Sequence, residues 1–322
     1  MKGDSKYKDE AISFSNNITY NLNKLRMSLI NGTYKFSGYY AFTVYEPKQR
    51  DIDAPCFKDK IVQIAINNIL KELVYKKFIF NSYACIDNKG THACAVKTQK
   101  NIKQANWKYK DPFIIKGDIK KFFYTIDREI LKSILEKIIN CDRTLKLLKH
   151  IIDSADVIDE LGLPLGNTLS QICANIYMNL LDQYIKRKLS IKFYTRYADD
   201  MCLICESKEK AKEVLKLCEK FINNELNLKL NKRKTKIFPL KQGVNFVGYK
   251  IHHTHMLLRS KSKKKVKNRL KSNKIPSHKL EQMMNSWKGH ADYANSYNFY
   301  NKLVDRFECL KLENDQFRVK EV

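Results

Sequence analysis

The stretch Arg196-Tyr197-Ala198-Asp199-Asp200-Met201-Cys202-Leu203-Ile204-Cys205, RYADDMCLIC, sets two adjacent carboxylates inside what otherwise reads as a buried apolar strand. Neighbouring ionised Asp side chains repel, and burying either without a partner costs several kcal/mol. A tight turn would lift both carboxylates clear of the strands on either side, and a divalent metal would then neutralise them. An ordinary solvent-facing hairpin turn satisfies the same letters. What surrounds the stretch has to decide between the two.

Upstream, FIIKGDIKKFF reads as a strand from Phe113 to Ile119 that delivers Asp118 at its end. A helix follows in DREILKSILEKIIN, with Ile130, Leu131, Ile134, Leu135, Ile138 and Ile139 on one face and Asp127 as N-cap. GLPLGNTLSQ is a Gly/Pro turn into a second helix, where Ile172, Ile176, Leu180 and Tyr184 recur at i, i+4 spacing. Downstream come a helix, KEKAKEVLKLCEKFINNEL, and one or two strands through KIFPLKQGVNFVGYKI. The order β-α-α-β-turn-β-α-β makes neighbours of distant strands, so Asp118 and the Asp199-Asp200 turn are expected to share a site.

Composition narrows the partners. The 322 residues carry 61 Lys+Arg against 34 Asp+Glu, a formal charge of +27, and a field of that sign attracts polyanions, nucleic acid above all. No apolar run is long enough to span a bilayer and MKGDSKYKDE has no signal-peptide core, so the expected location is intracellular and cytoplasmic, with no membrane partner. Nine irregularly spaced cysteines fit reduced thiols, and the single CxxC of Cys202 and Cys205, on opposite faces of a strand, fits core packing better than zinc or redox work. With 43% apolar residues, 10 Gly and 6 Pro, the chain can bury one to three tightly joined units. Texture divides it at 1–111, where helical patterns such as Ile61-Val62-Ala65-Ile66-Ile69-Leu70 mix with basic loops, at 112–252, where strands alternate with amphipathic helices, and at 253–322, basic and helical.

Three carboxylates gathered on a sheet of a basic protein suit two Mg²⁺ ions, which activate an attacking hydroxyl and stabilise a leaving pyrophosphate in nucleotide polymerisation. At this point a family resemblance enters. GDIKKFF around Asp118, YADD at 197–200, LNLKLNKRKTKI at 226–237 and NFVGYKI at 245–251 resemble, in order and spacing, the successive palm motifs of reverse transcriptases. VYEPKQRDIDAPCFKDKIVQIAINNI, SYACIDNKGTHACAV, GLPLGNTLSQICANIYMN and SWKGHADYANSYN are similar, more narrowly, to reverse transcriptases of diversity-generating retroelements. Where enzymes resembling those of group II introns or retroviruses have Gln before Gly and a later Ser-Pro, this chain has Leu165-Gly166 and Ser170-Gln171, the form typical of the diversity-generating family.

The resemblance implies an α+β right-hand polymerase with fingers (1–111), a ferredoxin-like palm sheet (112–252) and a helical thumb (253–322). It makes Asp118 and Asp199 metal ligands, with Asp200 beside them supplying charge and orientation. Phe123 takes the position that crowds a ribose 2′-hydroxyl and so favours dNTPs, while Phe122 reads as core. Lys48 and Arg50 match positions that grip the incoming triphosphate, although basic residues beside Pro also describe a solvated loop. Lys234 aligns with the proton donor to pyrophosphate, and Lys232, Arg233 and Lys236 around it are expected to lower its pKa.

Gly166 is expected to let backbone approach the templating pair, with Gln171 in the same substrate-facing stretch, and Tyr249 belongs to a segment that positions the primer end. Leu165 cannot make the hydrogen bonds a Gln would, which loosens selection, or else it packs under its turn. In the basic run 260–274, Lys261, Lys264, Lys265 and Arg269 are expected to track template-primer phosphates from a helix whose thin apolar seam is Val266 and Leu270, the competing reading being a solvated face. His252 to His255 lack the carboxylate or Cys pattern of a metal site and read as a loop.

The family copies a template RNA into cDNA with errors at adenines, the mutated cDNA replaces a variable gene segment, and a small basic oligomeric accessory protein usually assists. The chain is expected to lack room for RNase H, endonuclease or integrase domains. Two readings stay open beside this one: a defence-associated reverse transcriptase copying a companion noncoding RNA, and a noncatalytic RNA-binding scaffold, against which the intact carboxylates argue.

Overall fold

The strand that delivers Asp118 runs between the strand following the Asp199 turn and a fourth strand far downstream, as the sequence order requires. A computed structural model describes residues 2–45, 49–154, 161–271 and 277–306. The first elements are α1 (Lys2–Asn16), α2 (Ile18–Ile30), the strands β1 (Tyr39–Val44) and β2 (Arg50–Pro55), then α3 (Phe57–Val74) and α4 (Thr91–Lys108). Next come β3 (Phe113–Gly117), α5 (Phe122–Thr125), α6 (Arg128–Glu136), α7 (Asp142–Asp153), α8 (Thr168–Gln183), β4 (Phe193–Tyr197), β5 (Asp200–Cys205) and α9 (Lys208–Glu225). The last are β6 (Lys236–Pro239), β7 (Val244–Phe246), β8 (Tyr249–Ile251), β9 (Met256–Leu258), α10 (Ser260–Lys271), α11 (Ser277–Ala291) and α12 (Tyr297–Arg306).

These elements form two units interleaved along the chain. The first comprises Met1–Phe80, Ile119–Ile185 and Leu217–Asn231, and the second Asn81–Asp118, Lys186–Lys216 and Lys232–Val322. They cut across the linear division expected from texture, because strand pairing gathers segments distant in sequence.

In the first unit β1 and β2 pair antiparallel, Tyr39 opposite Pro55 and Val44 opposite Arg50. Helix α3 buries Val62, Ile66, Leu70 and Val74 at i, i+4 spacing and packs on α8, which buries Leu169, Ile172, Cys173, Ile176 and Tyr177. Two helices of this unit have a side-chain reason to start where they do. The Asp127 carboxylate accepts from the amides of Glu129 and Ile130 to begin α6, and the Asn167 side chain accepts from Leu169 N to begin α8. Within α6 the buried Leu131, Ile134 and Leu135 face the core, as their spacing predicts.

The second unit holds an antiparallel sheet of order β4-β5-β3-β6, with Lys116 opposite Cys202 on one side and Lys236 on the other. The chain visits these strands as β-α-β-β-α-β. A three-stranded sheet β7-β8-β9 completes the strands of this unit. Helix α4 packs on β4, its Thr98 hydroxyl 3.0 Å from that of Thr195. Ile102, Phe193, Cys202, Ile204, Tyr249, Ile251 and Leu258 share one core. Cys202 and Cys205 are both buried free thiols, and Val266 and Leu270 form the buried seam of α10. Among the described residues no helix is long and apolar enough to cross a membrane.

Candidate active site

Asp200 opens β5 directly opposite Tyr197, which leaves Ala198 and Asp199 as the two-residue turn of the β4–β5 hairpin. Ala198 has φ +54°, the left-handed region that Gly occupies without cost and that strains any residue with a Cβ by roughly 1–2 kcal/mol. The turn is held from below by Arg196, a fully buried cation whose Nη1 donates to the Ala198 carbonyl at 2.9 Å. The Arg196 backbone is itself fixed, its N–H donating to Asn81 O and its carbonyl accepting from Tyr83 N, each at 3.0 Å.

Next to the hairpin, Asp118 emerges from β3 only 4% exposed. Both its oxygens accept from Lys234 Nζ, at 2.8 and 2.6 Å. Asp200 is half-buried, and its Oδ1 is shut off from solvent and accepts no hydrogen bond, with Lys116 Nζ 3.6 Å away. Burial pushes the Asp199 carboxyl up to about 6, and the charge of Asp200 adds to the effect. Burial raises Asp200 as well, Lys116 and Lys234 opposing the shift and Asp118 reinforcing it.

The donor chemistry therefore fits a hard divalent cation: oxygen ligands, mutual repulsion and a shielded lone pair without a donor. Among the described residues no group of three or more His, Cys, Asp or Glu side chains already converges as a finished cage. The Lys234 ammonium instead occupies both oxygens of Asp118. Lys234 differs from expectation here. Its hydrogen bond to Asp118 raises its pKa against the opposing effect of burial, where the basic neighbours were expected to lower it.

Five other expected site residues lie among the described residues of the first unit. Arg50 is exposed at the start of β2, and Phe123 is half-exposed in α5, its ring 5.4 Å from that of buried Phe122. Gly166 adopts φ +98°, and a Cβ there would meet Ile52 Cγ2 at 2.5 Å. The preceding Leu165 is half-exposed, and its carbonyl accepts from Asp53 N at 2.8 Å. Gly166 thus has a complete packing reason to be Gly, the closeness of β2, before any nucleic acid is considered. Gln171 is exposed in the first turn of α8, and Lys48 lies outside the described residues.

On α10, Lys261, Lys264 and Lys265 are exposed and Arg269 is half-exposed, while Lys263 and Lys267 lie over the Phe299 ring. Tyr249 corrects an expectation. It is fully buried in β8, and its hydroxyl meets His92 Nδ1 at 2.8 Å and His290 Nδ1 at 2.9 Å, so its side chain belongs to the core and presents no surface to a primer. His252 and His255 stack on each other in the loop before β9.

Sequence reasoning missed two residues here. Lys116 precedes Asp118 by two positions in the stretch expected to run as a strand to Ile119, hence on the same face, which is a readable signal. Arg196 reads as an exposed end of a strand, and nothing local reveals that it is buried.

Opposed carboxylates and ammonium groups at the end of an antiparallel sheet are the kind of donor set that phosphoryl transfer uses. Residues 46–251 match the family described as reverse transcriptase (RNA-dependent DNA polymerase), and the chain belongs to that family. It is 27% identical over 281 residues to Protein YkfC of Escherichia coli (strain K12), covering 74% of this chain and 71% of that one. It is 23% identical over 302 residues to the group II intron-encoded protein LtrA of Lactococcus lactis subsp. cremoris, covering 71% and 49%.

Its fold is similar to that of telomerase from Candida albicans solved with a fragment of telomeric RNA, TM-score 0.51 at 13% identity, over 69% of this chain and 45% of that one. Apo telomerase from Candida tropicalis, truncated from its C-terminal domain, gives a TM-score of 0.52 at 13% identity, over 70% and 55%. The chain spans about half the length of these telomerases and of the intron protein.

Proposed function

We propose that this chain copies an RNA template into DNA with Asp118, Asp199 and Asp200 as its catalytic carboxylates, and that the copy is an adenine-mutagenised cDNA that diversifies a variable gene segment. The observation that carries the catalytic reading is the convergence of Asp118, Asp200 and Lys234 at the β4–β5 hairpin, inside the stretch that matches the family. Asp118, Asp199 and Asp200 would hold Mg²⁺, which when bound would supply positive charge to activate the primer hydroxyl and steady the pyrophosphate. Lys234 holds a proton beside the carboxylates and donates it to the leaving pyrophosphate once it releases Asp118.

In the right-hand description β1–β2 belongs to the fingers, the β4-β5-β3-β6 sheet is the palm and α10 lies in the thumb. Arg50, with Lys48, grips the triphosphate. Phe123 excludes a 2′-hydroxyl, and Gln171 lies near the base pair. Lys261, Lys264, Lys265 and Arg269 meet template-primer phosphates. The diversifying role rests on the resemblance of the Leu165-Gly166 turn and Ser170-Gln171 to the diversity-generating family. Leu165 offers no side-chain hydrogen bond to check the pair, and a small basic oligomeric partner assists.

The test is Mg²⁺-dependent dNTP incorporation on a primed, adenine-containing RNA, with sequencing of the products. The expected result is synthesis that the double variant Asp199→Asn, Asp200→Asn abolishes, with errors concentrated opposite adenine. Accurate synthesis overturns the diversifying role and favours copying of a companion noncoding RNA. No synthesis, with the partner and native RNA supplied, overturns the polymerase reading.

A further inference from the structure

Helix α4 buries Cys94, Ala95, Thr98, Asn101, Ile102 and Ala105 within its own unit, so its opposite face is the outer one. Along that face Val96, Lys100, Lys103 and Trp107 recur at i, i+4, i+7 and i+11, a single stripe about 16 Å long. Trp107 is 90% exposed and Val96 48%. Tryptophan is highly buried on average, and one standing free on a helix marks a surface that something else covers.

The charge on the helix itself is of one sign. Helix α4 contains four lysines and no Asp or Glu. Lys186 Nζ donates to the carbonyls of Ile191 and Lys192 at 3.0 Å each and feels the charge of Lys97. Partial burial lowers the Lys186 pKa, and the charges of Lys97 and Lys192 lower it further, so three cations are crowded together at this end. An anion relieves that repulsion. At the other end Glu206 lies close enough to Tyr109 to add to the rise that burial causes in its pKa.

We propose that the outer face of α4 binds an unpaired stretch of nucleic acid, the Trp107 indole stacking on a base while Lys97, Lys100 and Lys103 meet the phosphates. Both halves of that ligand are needed. A flat ring presented between cations matches a strand with a free base face, which a duplex does not offer. A membrane surface fits worse, because an interfacial helix lays a broad apolar face into the lipid and α4 already buries its own. This surface goes beyond polymerisation and does not depend on the catalytic reading.

The test uses the full chain in EDTA without dNTPs, so that no synthesis occurs. Binding of 12-nucleotide oligo(U) is followed by the anisotropy of a labelled strand and by tryptophan emission, which reports on Trp107 and Trp287. The expected result is quenching that Trp107→Phe removes from the emission, affinity about tenfold lower in Trp107→Ala and partly restored in Trp107→Phe. Lys100→Glu, Lys103→Glu is expected to flatten the salt dependence by about two phosphate contacts.

Equal binding of oligo(dT) assigns the surface to single strands of either sugar, and a preference for oligo(U) assigns it to RNA. Unchanged affinity and quenching in all α4 variants overturns the proposal. So does equal or tighter binding of a blunt duplex, or a Trp107 response to phosphatidylglycerol vesicles but not to oligo(U).

Discussion

Two short turns singled out in the sequence are held in opposite ways. The Ala198-Asp199 turn is uncomfortable: a residue with a Cβ at φ +54°, a buried arginine under it, a carboxylate raised to about 6 and an Asp200 oxygen with no donor. The Leu165-Gly166 turn is relaxed: Gly takes the positive φ, β2 fills the space where a Cβ would stand, and the Leu165 carbonyl is satisfied by Asp53. Strain and unpaired charge persist in a fold only where the surroundings enforce them, and that concentration at the first turn is itself a pointer to chemistry. The second turn is explained by packing alone, so any role in selection is carried by its surface and not by its backbone.

The largest test of this contrast is functional. Replacing Asp199 by Asn is expected to cut dNTP incorporation on the order of 10³-fold or more while the urea midpoint does not fall. Loss of activity and stability together would erase the distinction. Gly166→Ala is expected to do the reverse, lowering stability by about 2–4 kcal/mol through the positive φ and the Ile52 clash. Adding Ile52→Ala should recover the clash and not the backbone cost, and urea unfolding of the cycle separates them.

Ala198→Gly is expected to raise stability by about 1 kcal/mol and to lower incorporation a few-fold, because relaxing the turn loosens Asp199. A variant that gains stability at full activity would show the strain to be incidental.

The smallest effect is in pH. An Asp whose folded pKa of about 6 lies above its unfolded value binds more protons when folded, so stability falls as pH rises from about 4 to about 6 and then levels. In EDTA, Asp199→Asn should therefore stabilise the protein by about 1 kcal/mol at pH 7, after discounting for its partial exposure, and by nothing at pH 4. A pH-independent difference would place the penalty outside Asp199.

Local rules carried far in this chain. Periods of two and of 3.6 residues placed β3, β4, β5, α6, α8 and α9. Side-chain capping chemistry placed the Asp127 start of α6, and an aromatic pair resolved correctly into buried Phe122 and half-exposed Phe123. The order of the elements brought Asp118 to the hairpin. What such rules read is encoded within a few residues of each position.

Face and charge are set by partners far away, and only the tertiary structure decided them. Tyr249 sits in a three-residue strand too short to declare its inward face, and His92 and His290 claim its hydroxyl from 157 and 41 residues away. Lys234 is surrounded in sequence by cations, yet the group that sets its proton affinity is Asp118, 116 residues earlier, because a charge-assisted hydrogen bond at 2.6 Å outweighs neighbours that point to solvent. Trp107 reads as one more aromatic of a helix, and it is the packing of the helix's other face that leaves it outside.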